Sequence, residues 1–202
     1  MRSRSFLAPV RALVLMAFAL SPCGAIAATN PSAFMNDVSA QVLQIIQNKQ
    51  QPEAERSQQF AKLVDDTFDV PKIARFVLGQ NWRSASPDEQ QQFTAAFKTY
   101  MVQVYWARFN QYNGQGVKVT GQRAQSDTIS VVTTQIIQSG GQPTIKVEWT
   151  VTKEGDGYKI IDVSIEGISQ VLTYRQEFAS IIAQNGGDIS ALIAELNKKN
   201  QS

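Results

Sequence analysis

The helix that runs from Pro87 to Phe109 constrains this chain more than any other stretch. Ser86 stands at its N-cap, Pro87 at its first helical position, and Glu89 three residues after the serine. That pattern is a capping box with the preferred proline at N1. Phe93, Phe97, Tyr100, Met101, Val104, Tyr105 and Phe109 then recur at helical spacing and form one apolar face. Val102 and Trp106 make a second apolar strip about a hundred degrees round the helix. A helix with one buried side does not need that strip, so a second layer of protein, a partner or an apolar ligand must cover it. The stretch from Phe68 up to this helix reads as a short helix followed by a tight loop carrying Trp82.

The N-terminus indicates export. Residues 1–27 contain Arg2, Arg4 and Arg11, then an uncharged apolar run from Ala12 to Leu20, then Ala25-Ile26-Ala27 as a small-x-small cleavage site. These are the parts of a secretory signal peptide, and the apolar run is too short to cross a bilayer as a helix. Cys23 is the one cysteine. The proline before it departs from the lipoprotein pattern. Cleavage after Ala27 removes three arginines and no acid, leaving 16 basic against 17 acidic residues in 28–202. A nearly neutral mature chain argues against nucleic acid or a strongly anionic membrane as the main partner. With neither cysteine nor histidine left, a substantial apolar core must stabilise the remainder, read here as one domain.

Hydrophobic period divides residues 28–202 into a helical half, a β half and a helical tail. Asn30-Pro31 opens a helix with Phe34, Val38, Val42, Ile45 and Ile46 on one stripe. Pro52 precedes a second, with Phe60, Leu63 and Val64. Asp69-Val70-Pro71 caps a third, expected to turn Ile73, Phe76 and Val77 inward and to end at Gly79. After Phe109 the period falls to two. Val117–Gly121, Thr128–Ile137, Ile145–Thr152 and Tyr158–Glu166 read as strands joined by glycine-rich turns. Ile168–Ala183 reads as a helix with Val171, Leu172, Arg175, Phe178, Ala179 and Ile182 on one side. Asp188 caps a last helix carrying Ile189, Leu192, Ile193 and Leu196. The order predicts an α+β fold, with a helical layer on a curved antiparallel sheet of about four strands.

The chemistry of catalysis is largely missing. The chain contains no histidine, and so no Ser-His-Asp or Cys-His arrangement, no zinc site of ordinary type and no histidine acid/base. No cofactor or metal is expected. Asp65, Asp66 and Asp69 read as capping and solvated acids. Asp162 interrupts the apolar strand Ile160-Ile161-Asp162-Val163 and is the one enzymatic candidate, as an acid in an apolar cavity; its structural alternative is a wet-face or paired carboxylate. The large rings, Trp82, Trp106 and Trp149 among them, suit either a filled core or an apolar cavity between the long helix and the sheet. Each buried methylene contributes ~0.8 kcal/mol, so a cavity holding about sixteen carbons would gain on the order of 10 kcal/mol. Composition does not choose between cavity and core. A purely structural adaptor with a filled core is the third class.

Three segments resemble a known family. Val77-Leu78-Gly79-x-x-Trp82-Arg83-x-Ala85-Ser86-x-x-Glu89 with Phe93 and Phe97 is the first. Tyr158-Lys159-Ile160-Ile161-Asp162-Val163-Ser164-Ile165-Glu166-Gly167-Ile168-Ser169 is the second. Arg175 to Ile182 with Gly186-Gly187 and Leu192-Ile193 is the third. In this order they resemble the MlaC family, also named the toluene-tolerance auxiliary family. Ala74-Arg75-Phe76, Ala107-Arg108-Phe109 and Asn185-Gly186-Gly187 look closer to its hopanoid-associated HpnM branch. Val70-Pro71 departs from the tyrosine or phenylalanine frequent in the family. The resemblance implies a non-enzymatic periplasmic carrier that buries acyl chains between helices and sheet. Such carriers pass phospholipid between an outer-membrane lipoprotein complex and the inner-membrane ring-forming protein of an ABC transporter. A hopanoid is the alternative cargo. Carried over, the pocket wall would be Phe76, Trp82, Phe97, Tyr100, Val104, Tyr105, Val147, Trp149 and Val163, with Arg83 and Arg175 as head-group or partner contacts.

Overall fold

Local capping chemistry starts most of the helices where the sequence predicts. The computed structural model describes residues 30–109 and 114–201; the predicted signal peptide lies outside them. Helix α1 (Pro31–Gln47) begins at Asn30, whose side chain accepts from the Ala33 amide at 2.9 Å. Helix α2 (Glu53–Thr67) follows Pro52, and α3 (Val70–Leu78) is capped by Asp69 accepting from the Lys72 amide at 3.0 Å. The expected loop around Trp82 is instead a single helical turn, α4 (Asn81–Ser84). Helix α5 (Pro87–Phe109) has the reciprocal capping box. The Ser86 amide donates to the Glu89 carboxylate at 2.8 Å and the Glu89 amide to the Ser86 hydroxyl at 3.2 Å. Donation from the Ser86 amide, and then from its hydroxyl, holds the Glu89 carboxyl below its usual range, because it stabilises the charged form.

The β half is an open antiparallel sheet in the order β1 (Gly116–Ala124), β2 (Ile129–Ile137), β3 (Ile145–Glu154), β4 (Gly157–Ile165) and β5 (Ile168–Ser169). Gly155, at φ 55, permits the two-residue turn that joins β3 to β4. The sequence suggested four strands and a helix from Ile168. Ile168 and Ser169 instead fold back on β4, opposite Ile165 and Ser164, through a turn with Glu166 at φ 48 and Gly167 at φ 82. Two residues are too few for a period-two signal. Helix α6 (Gln170–Gln184) therefore starts at the end of a hairpin, capped by Ser169, and α7 (Ile189–Lys199) follows behind Asp188.

The interior consists of two apolar clusters. One is helical, built from α2, α3, α5, α6 and α7 around Phe93, Phe97, Phe178 and Leu192. The other lies between α1 and the sheet: Met35 and Val38 cover Val132, Val147, Val151, Ile160 and Val163. A register shift between Thr150 and Val151 leaves Ile161 unpaired, so Ile160 and Val163 both oppose residues of one inner row, Val151 and Trp149. Phe68 and Val42 pack against both clusters. The second strip of α5 is covered from within the chain. Trp106 meets Phe60 at 5.9 Å between ring centroids and the Arg56 guanidinium at 5.4 Å.

Two expected faces are corrected. Ile73, Ala74 and Val77 occupy the inner side of α3, and Phe76 is 42% exposed because it falls about a hundred degrees away from them. On α6 the buried stripe runs through Tyr174, Phe178 and Ile182, while Leu172, Arg175 and Ala179 face outward. Tyr174 supplies the stripe at i, i+4, i+8, a period that a count of aliphatic residues misses.

The sheet edges are covered or broken. Between Val119 and Gly121 the register of β1 slips by one residue. Along β4, the Asp69 amide donates to the Ile160 carbonyl at 3.0 Å and Phe68 bridges Ile160. In the helical cluster, Phe178 lies edge-on to Phe93 at 6.0 Å and to Phe97 at 5.8 Å. Truncation Phe178→Ala is expected to lower stability by about 3–5 kcal/mol. Urea unfolding would show this as a lower midpoint with an unchanged slope.

Candidate functional site

The two clusters abut along a seam, and the seam contains a narrow slot. Phe97, Met101 and Tyr105 of α5 form one wall, Val171 and Tyr174 of α6 another, and Val163 with Asp162 of β4 the floor; Phe68 and Ile73 close the end. Its free volume is about 10 Å³, room for a single water. Asp162, Gln170, Tyr105 and Tyr174 are the polar residues among its lining, though the surface they present to the slot is apolar.

Asp162 is fully engaged in local structure. Its carboxylate accepts from the Val163 amide at 2.7 Å, the Ser169 hydroxyl at 2.7 Å and the Val171 amide at 3.3 Å. It thereby fixes the first turn of α6 to β4 through charge-assisted bonds at a helix N-terminus. A carboxylate committed to three donors serves as a clamp. Burial pushes the Tyr105 and Tyr174 phenols above their ordinary range.

A second concavity, of about 530 Å³, opens on the outer side of the same helices. Lys72, Arg75, Phe76 and Gly79 line it at i, i+3, i+4 and i+7 along α3, so one helical face presents them all. Trp82 and Arg83 come from α4 and Arg175 from α6. The Arg175 guanidinium lies 4.9 Å from the centre of the Phe76 ring. It also fills the space beside Gly79, where an added Cβ would stand 3.1 Å from Nε; Gly79 has φ 60 as well. No acid lines this basin. The ion pairs among the described residues involve none of its four cations.

The MlaC protein family matches residues 36–198. The chain belongs to the MlaC family. It is 25% identical over 133 residues to the toluene tolerance protein ttg2D of Pseudomonas putida, a match that spans 65% of this chain and 61% of that protein's own length. It also resembles the solved phospholipid-binding protein from Ralstonia solanacearum, whose structure contains a phospholipid. That likeness has a TM-score of 0.74 and 26% identity, and it covers 87% of this chain and 97% of the other.

The residues carried over from the MlaC resemblance do not form one wall. Phe97, Tyr105 and Val163 meet in the slot. Phe76 and Trp82 lie in the basin with Arg83 and Arg175. Val147 and Trp149 belong to the cluster under α1, where the indole Nε1–H donates to the Thr134 hydroxyl at 2.9 Å. Tyr100 is half-buried, 6.1 Å from Tyr174, and Val104 is half-buried farther along α5. The sequence reading missed Met101, Val171 and Tyr174 on the slot, and Lys72 and Arg75 in the basin. The i, i+3, i+4, i+7 spacing from Lys72 to Gly79 was the available signal for the basin. Among the described residues, no cluster of His, Cys, Asp or Glu is placed to hold a metal, and no helix is long and apolar enough to cross a membrane.

Two outcomes follow from this geometry. Asp162→Ala should destabilise the chain by about 2 kcal/mol, with faster amide exchange at Val171. The tyrosines set an alkaline limit: their folded pKa values lie above the unfolded value of about 10. The unfolded chain therefore loses these protons first, and stability falls as pH rises above about 10. Thermal melting between pH 8 and 11.5 would record the fall, and Tyr174→Phe should flatten it.

Proposed function

We propose that this chain is a periplasmic lipid carrier that holds acyl chains at the seam between its two apolar clusters. The seam is the observation that supports this reading most directly. A site for a drug-sized or larger apolar ligand occupies ~300–1,000 Å³, far more than the slot of about 10 Å³. Loading therefore requires the helical cluster and the sheet cluster to part. They can part at little cost to either interior, because Phe97, Met101 and Tyr174 belong to one cluster and Val163 to the other. Apolar surface uncovered by the parting costs about 25 cal/mol per Å². Methylenes that enter offset it at ~0.8 kcal/mol each.

In this proposal Phe97, Tyr105 and Val163 contact the acyl chains first, and Val147, Trp149, Tyr100 and Val104 join the wall as the seam widens. Tyr105, Tyr174 and Gln170 supply the polar end of the widened seam. Phe76, Trp82, Arg83 and Arg175 lie outside the slot and act on the head group or on a partner. The family membership and the likeness to a phospholipid-bound structure support phospholipid as the cargo. Shuttling between an outer-membrane lipoprotein complex and an inner-membrane ring-forming transporter component is the role proposed with it. The three donors on Asp162 favour binding over catalysis. Residues 1–27 serve as the export signal, and residues 28–202 act as one lipid-binding domain.

Organic extraction of the exported chain, followed by mass spectrometry, tests the reading. Phospholipid near one molecule per chain is the expected result. A hopanoid in its place would assign the chain to the HpnM-like branch. Protein free of lipid that also takes none from vesicles would overturn lipid carriage.

A further inference from the structure

We infer that the basin between α3, α4 and α6 seats the protein on an anionic bilayer surface, a contact separate from the lipid slot. Four cations face this concavity with no acid in its wall and no ion pair among the described residues to neutralise them. Elsewhere the charge is paired or dispersed: Lys62 meets Asp66 at 2.7 Å and Lys98 meets Asp65 at 3.0 Å. The chain carries nearly equal numbers of acids and bases after residue 27, so the basin is a local concentration in an otherwise balanced protein.

Apolar exposure coincides with this charge. Four large hydrophobic side chains are exposed among the described residues; one of them lines the basin and a second stands one helical turn from its Arg175. Phe76 lies inside it, Leu172 stands one turn before Arg175 on α6 and is 49% exposed, and Ile168, 62% exposed, sits just before that helix. Trp82 adds an indole at the rim. Aromatic and aliphatic groups among lysines and arginines are the composition of an interfacial anchor, in which the rings enter the head-group layer and the cations meet anionic phosphates. An acidic protein would satisfy the four cations but gives no reason for Phe76 to be exposed among them or for Leu172 to protrude one turn from Arg175. The bilayer accounts for both.

The helices themselves link this surface to the slot. Ile73 of α3 and Val171 and Tyr174 of α6 face the slot, while Lys72, Phe76 and Arg175 of the same helices face the basin. A molecule seated by the basin would bring the slot within one helix diameter of the lipid, about 10 Å.

Flotation with extruded vesicles tests the inference on the full mature chain. Wild type is expected to float with vesicles of phosphatidylglycerol mixed into phosphatidylcholine, to stay behind with pure phosphatidylcholine, and to be released as salt rises. Lys72→Glu/Arg75→Glu, with an unchanged melting curve, should reduce vesicle affinity at least ~tenfold while extracted lipid per chain stays at the wild-type level. Leu172→Ser should weaken flotation without changing its salt dependence. Equal flotation with neutral vesicles, or full flotation of the charge-reversed variant, would overturn the inference. So would wild type that ignores anionic vesicles yet is retained on immobilised polyglutamate through Lys72 and Arg75, an outcome pointing to an acidic protein face. Loss of extractable lipid with flotation intact would count against lipid carriage alone.

Discussion

Four rings hold α5 against α6, and the geometry of both the slot and the basin depends on them. Phe93 and Phe97 stack at 5.7 Å with an interplanar angle of 3°, and Phe178 and Tyr174 meet Phe97 edge-on at 5.8 and 5.4 Å. Each such pair contributes about 0.5–1.5 kcal/mol beyond the area it buries. Solvent-exposed ion pairs, such as Lys62 with Asp66, are each worth ~0–1 kcal/mol. The aromatic cluster therefore dominates the placement of α6, and the surface charges are free to serve other ends. Phe97 is fully buried in this cluster while its outer side forms the slot wall, so one side chain serves both stability and the cavity.

Two anchors of different strength act on α6. Its middle is fixed to α5 by rings, and its first turn is fixed to the sheet by the Asp162 carboxylate. The second anchor consists of two hydrogen bonds, from the Ser169 hydroxyl and the Val171 amide, at a half-exposed position where water can replace the partners as they separate. The helix is thus firmly attached to the helical cluster and more lightly to the sheet. In the proposed carrier, that asymmetry favours separation along the seam over opening either interior.

Local features were legible in the sequence. Asn30, Asp69, Ser86 with Glu89, and Asp188 each cap the helix they were expected to cap, because a cap depends on residues two or three apart. The alternation from Ile145 to Thr152 revealed β3 for the same reason. Long-range geometry was less visible. Nothing local tells that Arg175 will cover Phe76 or that Phe60 will cover Trp106, since those partners lie about a hundred and about fifty residues apart. The candidate wall was chosen as large rings with a common family position, and the fold divides those rings among a slot, a basin and a sheet core. Size and apolarity alone do not distinguish the three. A cationic stripe facing solvent looks ordinary until a second helix closes it into a concavity.

The broken and covered edges of the sheet bear on how folded copies avoid joining one another. An uninterrupted nine-residue edge strand offers a ladder of unpaired amides and carbonyls to any other copy. The slipped register at Thr120 interrupts that ladder on β1, with Lys118 and Arg123 beside it, and the Phe68–Asp69 backbone occupies part of the opposite edge at Ile160. Strand-on-strand polymerisation is thereby disfavoured at both ends of the sheet. Edge charges and an interrupted backbone ladder thus act together, in a chain that has no internal disulfide to hold the sheet closed.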